Sequence, residues 1–535
     1  MKLRIEGKEF RVYGPPGTGK TTWITKVARR AVDKFGEDQV SLCSLTNAAI
    51  REVVGRDLPV SKDNVSTLHS RCKRSLSAPE PAESKIKEFI KKYPEYSTAG
   101  GYNPCLPAGL AKRSCSGDDG DTDEVLLSGG GVSLYERAQI LRQQMIPKEE
   151  WPMEVRRWYS VWDSWCRESG HLDFTGWLEA ALEIRPLPAQ QIIFVDEAQD
   201  HTPLQLAVIR SWDARIRVLV GDDDQNLYEW SGAIPKGFYG VDLPSEREKI
   251  LHQSYRIPRA VHRMAMRWVK RIRDRKEKDY LPRDAEGSVK HLDYTLDDAK
   301  YNGSIPQGLL KDKDQTYMIL TSCAYMLDSL IDVLKKNRIP FHNPYRKSNL
   351  RWNPLANPSD RIRDYMAASQ DPEGEWTGAQ AHNWASILKS TGVFKTGKKE
   401  AFLNLCEQMG GKKISNETIR QYFNPDVAEL LGEKDISVLR SLRKIGVSGS
   451  WDYALDVMSD SRGEFEPKVI IGTIHSVKGG EADNVYLFPD LSPSGYLDYT
   501  GSNPDRIFRL FYVGITRARE NLILCQQSRP KAVDW

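Results

Sequence analysis

The chain has 535 residues, of which 40% are hydrophobic and 28% charged. That balance excludes a disordered chain, and at roughly 100–200 residues per domain the length implies about three or four units. A formal net charge of only +4 excludes a protein that binds nucleic acid through bulk charge, so any basic track must be local.

The opening MKLRIEGKEF lacks the apolar stretch of a secretory signal. No apolar run reaches the roughly 20 residues that span a bilayer. The expected setting is the cytoplasm, with no membrane partner. The eight cysteines are Cys43, Cys72, Cys105, Cys115, Cys166, Cys323, Cys406 and Cys525, and no two form a CxxC pair. That argues against a zinc module or an iron–sulfur cluster and fits reduced, mostly buried thiols.

Short apolar runs recur along the chain: FRVYG, VSLCSL, IIFVDE, IRVLVGD, YMILTS, VIIGTIHS, NVYLFPD and LILC. Helix-like patterns lie between many of them. Buried strands alternating with helices predict parallel sheets in an α/β fold. Three stretches break the alternation. Residues from about 78 to 154 are polar and interrupted by Pro and Gly, which reads as irregular structure. After Arg256 comes a basic helix, RIPRAVHRMAMRWVKRIRDRKEK, a solvated face that also widens a positive track. Residues from about 371 to 463 lack strand-like runs and read as short helices.

The chemistry starts at Gly14. GPPGTGKTT follows the strand FRVYG and precedes the helix TTWITKVARRAVDKF, the context of a P-loop. Gly14, Gly17, Thr18 and Gly19 would curl backbone N–H groups around phosphate oxygens, Pro15 would line the same loop without an N–H of its own, and the helix N-terminus adds positive potential. Lys20 would reach the β- and γ-phosphates, Thr21 would ligate Mg²⁺, and Thr22 completes the cradle. IIFVDEAQD carries Asp196 and Glu197 to a strand's C-terminal end, where α/β sheets bind ligands. Asp196 would hold Mg²⁺, mostly through water, and Glu197 would orient and deprotonate the attacking water. In VGDDDQNLYEWSGA the three adjacent acids Asp222, Asp223 and Asp224 suggest a metal site at first. Thr21 and Asp196 already supply one, so the metal reading recedes; Asp222, ending a buried strand, orders the turn.

The order of motifs resembles the UvrD/Rep/PcrA group of superfamily 1 DNA helicases along nearly the whole chain. SLTNAAIREV is similar to motif Ia, VSTLHS to Ib, VDEAQD to II and GDDDQNLYEWSGA to III. LHQSYRIP is similar to motif IV, TIHSVKGGEADNVYLF to V and RLFYVGITRARENLIL to VI, and HLDFTGWLEAAL resembles the segment before motif II. The resemblance implies two RecA-like P-loop domains, parallel sheets flanked by helices, each interrupted by a smaller, mainly helical insertion. The implied boundaries are 1–77 and 155–240 for domain 1A, 78–154 for insertion 1B, 241–370 and 464–535 for domain 2A, and 371–463 for a reduced 2B.

The same resemblance implies roles. Tyr255 would stack on adenine, Arg256 and Arg517 would contact the γ-phosphate, and Glu481 would contact the ribose. Gln225 would sense the γ-phosphate and its attacking water. Trp230, with Tyr228, would stack on DNA bases, since every base has a π-face. Leu45, Thr46, Asn47, Thr67, His69, Thr473 and His475 would follow the strand, the Thr, Asn and His residues at its backbone. The implied activity is ATP- and Mg²⁺-dependent unwinding, moving 3′ to 5′ on single-stranded DNA and acting at single-strand/duplex junctions in a nucleoid-associated setting. Two other readings are a translocase that strips proteins from DNA with little unwinding, and a nucleotide-switched recruitment protein.

The sequence departs from the family in several places. No Gln precedes the P-loop where the family reads adenine, which implies weaker discrimination among nucleotides. Leu45 stands where the family has a base-contacting Phe, Ala48 where it has Lys, and Ser231 where Arg follows the Trp. Each loses stacking area or positive charge near the strand, which implies a weaker grip.

Overall fold

A computed structural model gives the fold; it describes residues 8–44, 60–77, 80–96, 133–184, 190–442, 450–460, 466–501 and 503–535. Two compact units divide the chain. The first comprises Met1–Asp293, Leu320–Tyr325 and Thr473–Trp535, the second Tyr294–Ile319 and Met326–Gly472.

The first unit is built on a parallel sheet of β1 (Lys8–Tyr13), β2 (Val40–Ser44), β3 (Val65–Thr67), β4 (Ile192–Val195), β5 (Ile216–Gly221) and β6 (Glu248–Ile250), in the order β3-β2-β4-β5-β1-β6. Strands β2 and β4 are buried along their whole length, as a sheet covered on both faces requires. Pairing sets Tyr13 opposite Gly221 and Val195 opposite Leu219. The loops beginning at Gly14, Asp196 and Asp222 therefore leave one edge of the sheet side by side, which is the C-terminal edge where such sheets bind ligands. Strand β6 lies beyond the expected domain limit at residue 240, yet Arg11 of β1 pairs with Glu248; the sheet extends to Ile250. A second set of parallel strands in this unit comprises β7 (Ser288–Leu292), β13 (Ala482–Leu487) and β14 (Ala518–Cys525), with β14 between the other two.

Between β3 and β4 the described residues are helical: Ile86–Lys92, Leu134–Gln143, Met153–Ser169 and Phe174–Ile184, beyond the helix Leu68–Ser75 that follows β3. Ser133 and Glu136 form a reciprocal cap that starts the second of these helices, satisfying N–H groups a helix start leaves open. Phe89, Tyr135, Trp158, Trp162 and Trp165 pack into one aromatic core. Helix Met153–Ser169 supplies its three tryptophans at i, i+4 and i+7, one face of a 3.6-residue period.

Glu83 is buried here and accepts from the Tyr135 hydroxyl and the Phe174 N–H. Burial, reinforced by the Asp173 charge, pushes its carboxyl up to about 7 in spite of those bonds. An acid with a raised folded pKa stabilises the fold at low pH and loses that contribution as pH rises through the folded value. Glu83→Gln does not titrate. Its melting temperature relative to wild type should therefore climb by several degrees between about pH 5 and pH 8. A difference that stays flat across that range would contradict this account.

The second unit contains the start of β8 (Tyr317–Thr321), β9 (Phe341–His342), β10 (Trp376–Thr377), β11 (Lys413–Ile414) and most of β12 (Val469–Thr473). Strand β12 runs parallel to β9. Helices dominate the stretch expected to be a run of short helices, including Gly378–Ala385, Lys398–Met409, Asn416–Tyr422 and Pro425–Gly432. The exception is an antiparallel ribbon of β10 and β11, whose two-residue strands are too short to show a period in sequence. Trp376, Trp384, Phe402 and Phe423 are fully buried in this unit.

No described helix is long and apolar enough to cross a membrane.

Candidate functional site

The phosphate cradle forms where β1 ends. Gly17 and Gly19 take positive φ, 73° and 76°, a region that suits glycine. A Cβ at Gly14 would sit 2.2 Å from Lys20 Cγ, and one at Gly17 would sit 2.5 Å from Arg256 Cβ. Both glycines are therefore fixed by close approach. The helix Lys20–Phe35 starts at Gly19 with no side-chain cap, which leaves its first N–H groups for an anion. Lys20 Nζ donates to Gly14 O at 3.1 Å and lies 3.8 Å from Glu197. Pro15 O accepts from Thr18 Oγ1 at 2.8 Å, which closes the turn. These residues fit a triphosphate. Thr21 and Asp196 offer the hard oxygen donors that Mg²⁺ takes, Asp196 carrying its carboxylate at the end of β4.

Glu197 sits at φ 49°, unusual for a residue with a Cβ and a form of strain that concentrates at functional sites. Burial pushes its carboxyl up, but the charges of Lys20 and Lys478, the Gln199 hydrogen bond and the Arg517 charge bring it down to about 2. The carboxylate is thus ionised and surrounded by cations.

Gln225 lies across from it. Its Nε2 donates to Asp222 Oδ2 at 2.6 Å, its Oε1 accepts from Arg517 at 3.2 Å, and its backbone O accepts from Lys478 Nζ at 3.0 Å. The buried Arg517 guanidinium also donates to Val513 O and Gly480 O, so its direction is fixed. The structure thus brings Lys20, Glu197, Gln225 and Arg517 together. Arg256 and Glu481 pair with each other at 2.6 Å. Tyr255 is 71% exposed, its N–H bound to Gly17 O at 2.8 Å, which leaves its ring open beside the cradle.

Three residues that the sequence reading did not single out tie this site together. Gln199 donates to Glu197 at 2.5 Å and accepts from the Asp222 N–H at 2.9 Å, bridging the two acidic loops. Lys478 pairs with Asp200 and lies 3.8 Å from Glu197. Burial, with the neighbouring Glu197 charge, raises Asp200 to about 6 against the pull of Lys478. The signals were present as the polar letters in DEAQD and SVKGG; Gln199 bonds Glu197 within its own motif, but its Asp222 partner and the Asp200–Lys478 pair join separate stretches of chain.

The strand-facing candidates divide. Trp230 and Tyr228 are half-buried with ring centroids 6.0 Å apart, and Lys478 Nζ lies 5.5 Å from the Tyr228 ring. Thr67 caps the helix Leu68–Ser75 by accepting from Ser70 N–H at 3.2 Å, and Thr473 accepts from Ser476 N–H at the same distance. Both hydroxyls thus serve local turns, and His475 is buried nearby. His69 packs edge-on against Phe174 at 6.3 Å, and burial lowers its pKa to about 4; a neutral ring can donate one hydrogen bond but carries no charge to a phosphate. Ser231 Oγ donates to Tyr228 O at 2.8 Å. Leu45, Thr46, Asn47 and Ala48 lie outside the described residues.

A glycine cradle after β1, an acid pair after β4 on the far side of β5 and a converging arginine define a P-loop nucleotide-binding site. Sequence comparison narrows the class. A family profile described as an AAA domain matches residues 2–231, and one described as the UvrD-like helicase C-terminal domain matches residues 428–529. The chain is 24% identical to the ATP-dependent DNA helicase Rep of Escherichia coli (strain K12), over 97% of this chain and 89% of Rep. It is 33% identical to the ATP-dependent DNA helicase PcrA of Bacillus subtilis (strain 168), over 18% of this chain and 14% of PcrA. It is 22% identical to YjcD of the same organism, over 46% of this chain, and spans 34% of YjcD's length. Along nearly its whole length the chain is thus similar to UvrD/Rep/PcrA-like helicases.

Proposed function

We propose that the protein is an ATP-dependent DNA helicase that moves 3′ to 5′ on single-stranded DNA and opens duplex at single-strand/duplex junctions. The observation that carries this reading is the convergence of Lys20, Glu197, Gln225, Lys478 and Arg517 from five separate stretches of chain. In this reading residues 1–77 and 155–240 form domain 1A, with β6 added to its sheet, and 241–370 with 464–535 form domain 2A. Residues 78–154 and 371–463 are the insertions 1B and 2B.

ATP binds with its phosphates on the Gly14–Thr22 loop and its base against Tyr255. Mg²⁺, held by Thr21 and Asp196, would neutralise charge on the phosphate oxygens. Lys20 moves its contact from Gly14 O and Glu197 to phosphate, which relieves one of the charges holding Glu197 down and makes it a better proton acceptor. Gln225 orients the water, and Arg517 stabilises the charge that develops on the transferred phosphoryl group. Arg256, held by Glu481 across the cradle from Lys20, adds a second cation. Tyr228 and Trp230 follow Gln225 within five residues, so a shift at the γ-phosphate reaches the base-stacking surface through one short loop.

The direction of movement rests on the motif resemblance. It is tested with duplexes carrying a single-stranded tail on either the 3′ or the 5′ side. Strand separation from the 3′-tailed duplex is expected. Separation from only the 5′-tailed duplex reverses the direction, and strand-stimulated hydrolysis without separation replaces the helicase with a translocase.

A further inference from the structure

The loop from Asp222 to Ser231 is held at both ends by buried ionic contacts. At the front, Lys278 Nζ lies 2.5 Å from Asp223, 2.9 Å from Asp224 and 3.3 Å from Asp222. An ammonium group occupies the centre of the carboxylate cluster that the sequence alone offers to a metal. Burial works against that charge, yet Asp224, Asp222 and Asp223 together hold the Lys278 pKa above the ordinary lysine value. Arg275 grips both oxygens of Asp224 at 2.7 Å, the bidentate geometry that fixes orientation as well as distance. The Lys276 N–H donates to Asp223 Oδ2 at 2.8 Å.

At the rear, Glu229 accepts from Arg509 at 2.8 Å and from Asn503 at 3.0 Å. The same Arg509 donates from Nε to Asp223 O at 3.1 Å and from its other amino group to Asp274 O. One guanidinium therefore joins the front of the loop, its rear and the segment that carries Arg275 and Lys278.

That segment reaches the nucleotide side. Leu281 N–H donates to His252 O, Ser254 N–H to Leu281 O, and Arg283 N–H to Ile257 O, bracketing Tyr255 and Arg256. Lys276 Nζ donates to Glu248, which also accepts from the Tyr13 hydroxyl at the end of β1.

We propose that Lys278, Arg275 and Arg509 form an ionic clamp that makes residues 222–231 one rigid body with residues 273–283 and the helix Pro504–Ile515. Gln225 and Trp230 then move with those elements rather than independently of them. Parting the loop from its anchors would leave buried charges uncompensated, so the contacts persist while the elements shift. Lys278, Arg275, Arg509 and Glu229 are positioning residues in this account; Glu229 also gives the loop a fixed rear anchor in a chain where Ser231 stands in place of the family's arginine. The clamp rests on the helicase reading above.

The test is Glu229→Gln, which keeps the shape and removes the charge that holds Arg509. Strands separated per ATP hydrolysed, KM for ATP, hydrolysis without DNA and the melting temperature are measured together on the full chain. The clamp predicts at least a fivefold fall in strands separated per ATP, with KM and DNA-free hydrolysis within twofold of wild type. A second variant, Asp223→Asn with Lys278→Met, removes one charge of each sign and should show the same loss of coupling while remaining folded. An unchanged ratio in Glu229→Gln overturns the clamp, as does a fall in DNA-free hydrolysis parallel to the fall in separation. Wild-type protein that fails to couple hydrolysis to separation overturns the helicase reading instead, and the clamp's role with it.

Discussion

Arg517→Ala is expected to lower the turnover of ATP by about a thousandfold while KM for ATP changes less than about threefold. The Arg517 side chain is buried and its guanidinium is aimed by Val513 O, Gly480 O and Gln225 Oε1. A cation held in place before reaction stabilises charge that appears only in the transition state, so its loss falls on turnover rather than on binding. Arg517→Lys should not restore activity, because one ammonium cannot reproduce a fork directed at three acceptors. Steady-state hydrolysis across ATP concentrations checks this, with melting temperature as the control for folding. A loss below tenfold, or a change confined to KM, would place Arg517 outside the reaction.

Glu197→Gln should reduce turnover by roughly 10²–10⁴-fold and leave ATP binding intact. The amide keeps the shape but cannot take a proton. In the wild type the carboxyl lies near 2. The sign follows: with Lys20 and Lys478 beside it, Glu197 stays ionised in the free enzyme from about pH 8 to 5, so an acid limb of kcat/KM in that window belongs to other groups. Asp200, at about 6 beside Lys478, is the group at this site that titrates there. The rate should fall as pH drops through about 6, when Asp200 takes a proton and releases Lys478 toward Glu197. Fluorescent ATP-analogue binding and hydrolysis, measured over that range for both proteins, check the prediction. A variant that hydrolyses ATP at a tenth of the wild-type rate would contradict it.

The parts of this site that are contiguous in sequence were legible there. GPPGTGKTT and IIFVDE each carry chemistry within a few residues, and the sheet sets them at one edge because β4, β5 and β1 are neighbours. The α/β class followed from apolar runs whose burial is continuous in β2 and β4. Contacts between distant stretches were not legible. Nothing local in DDDQ announces that a lysine more than fifty residues later sits among its carboxylates, and the three acids alone are as consistent with a cation site. Lys478 was missed for the same reason: its partners are Asp200 and the Gln225 carbonyl, 278 and 253 residues away. Strand β6 escaped because three residues, EKI, carry no period, and only pairing with β1 reveals them.

Coupled hydrolysis tests the central claim most directly. Wild-type protein and Lys20→Ala are mixed with a 3′-tailed duplex and ATP, and phosphate release and strand separation are followed in the same reaction. The account predicts hydrolysis that the single-stranded tail stimulates and separation that tracks it in the wild type, with both lost in Lys20→Ala while DNA binding persists. Wild-type ATP hydrolysis that DNA does not stimulate, or strand separation that survives in Lys20→Ala, would contradict it.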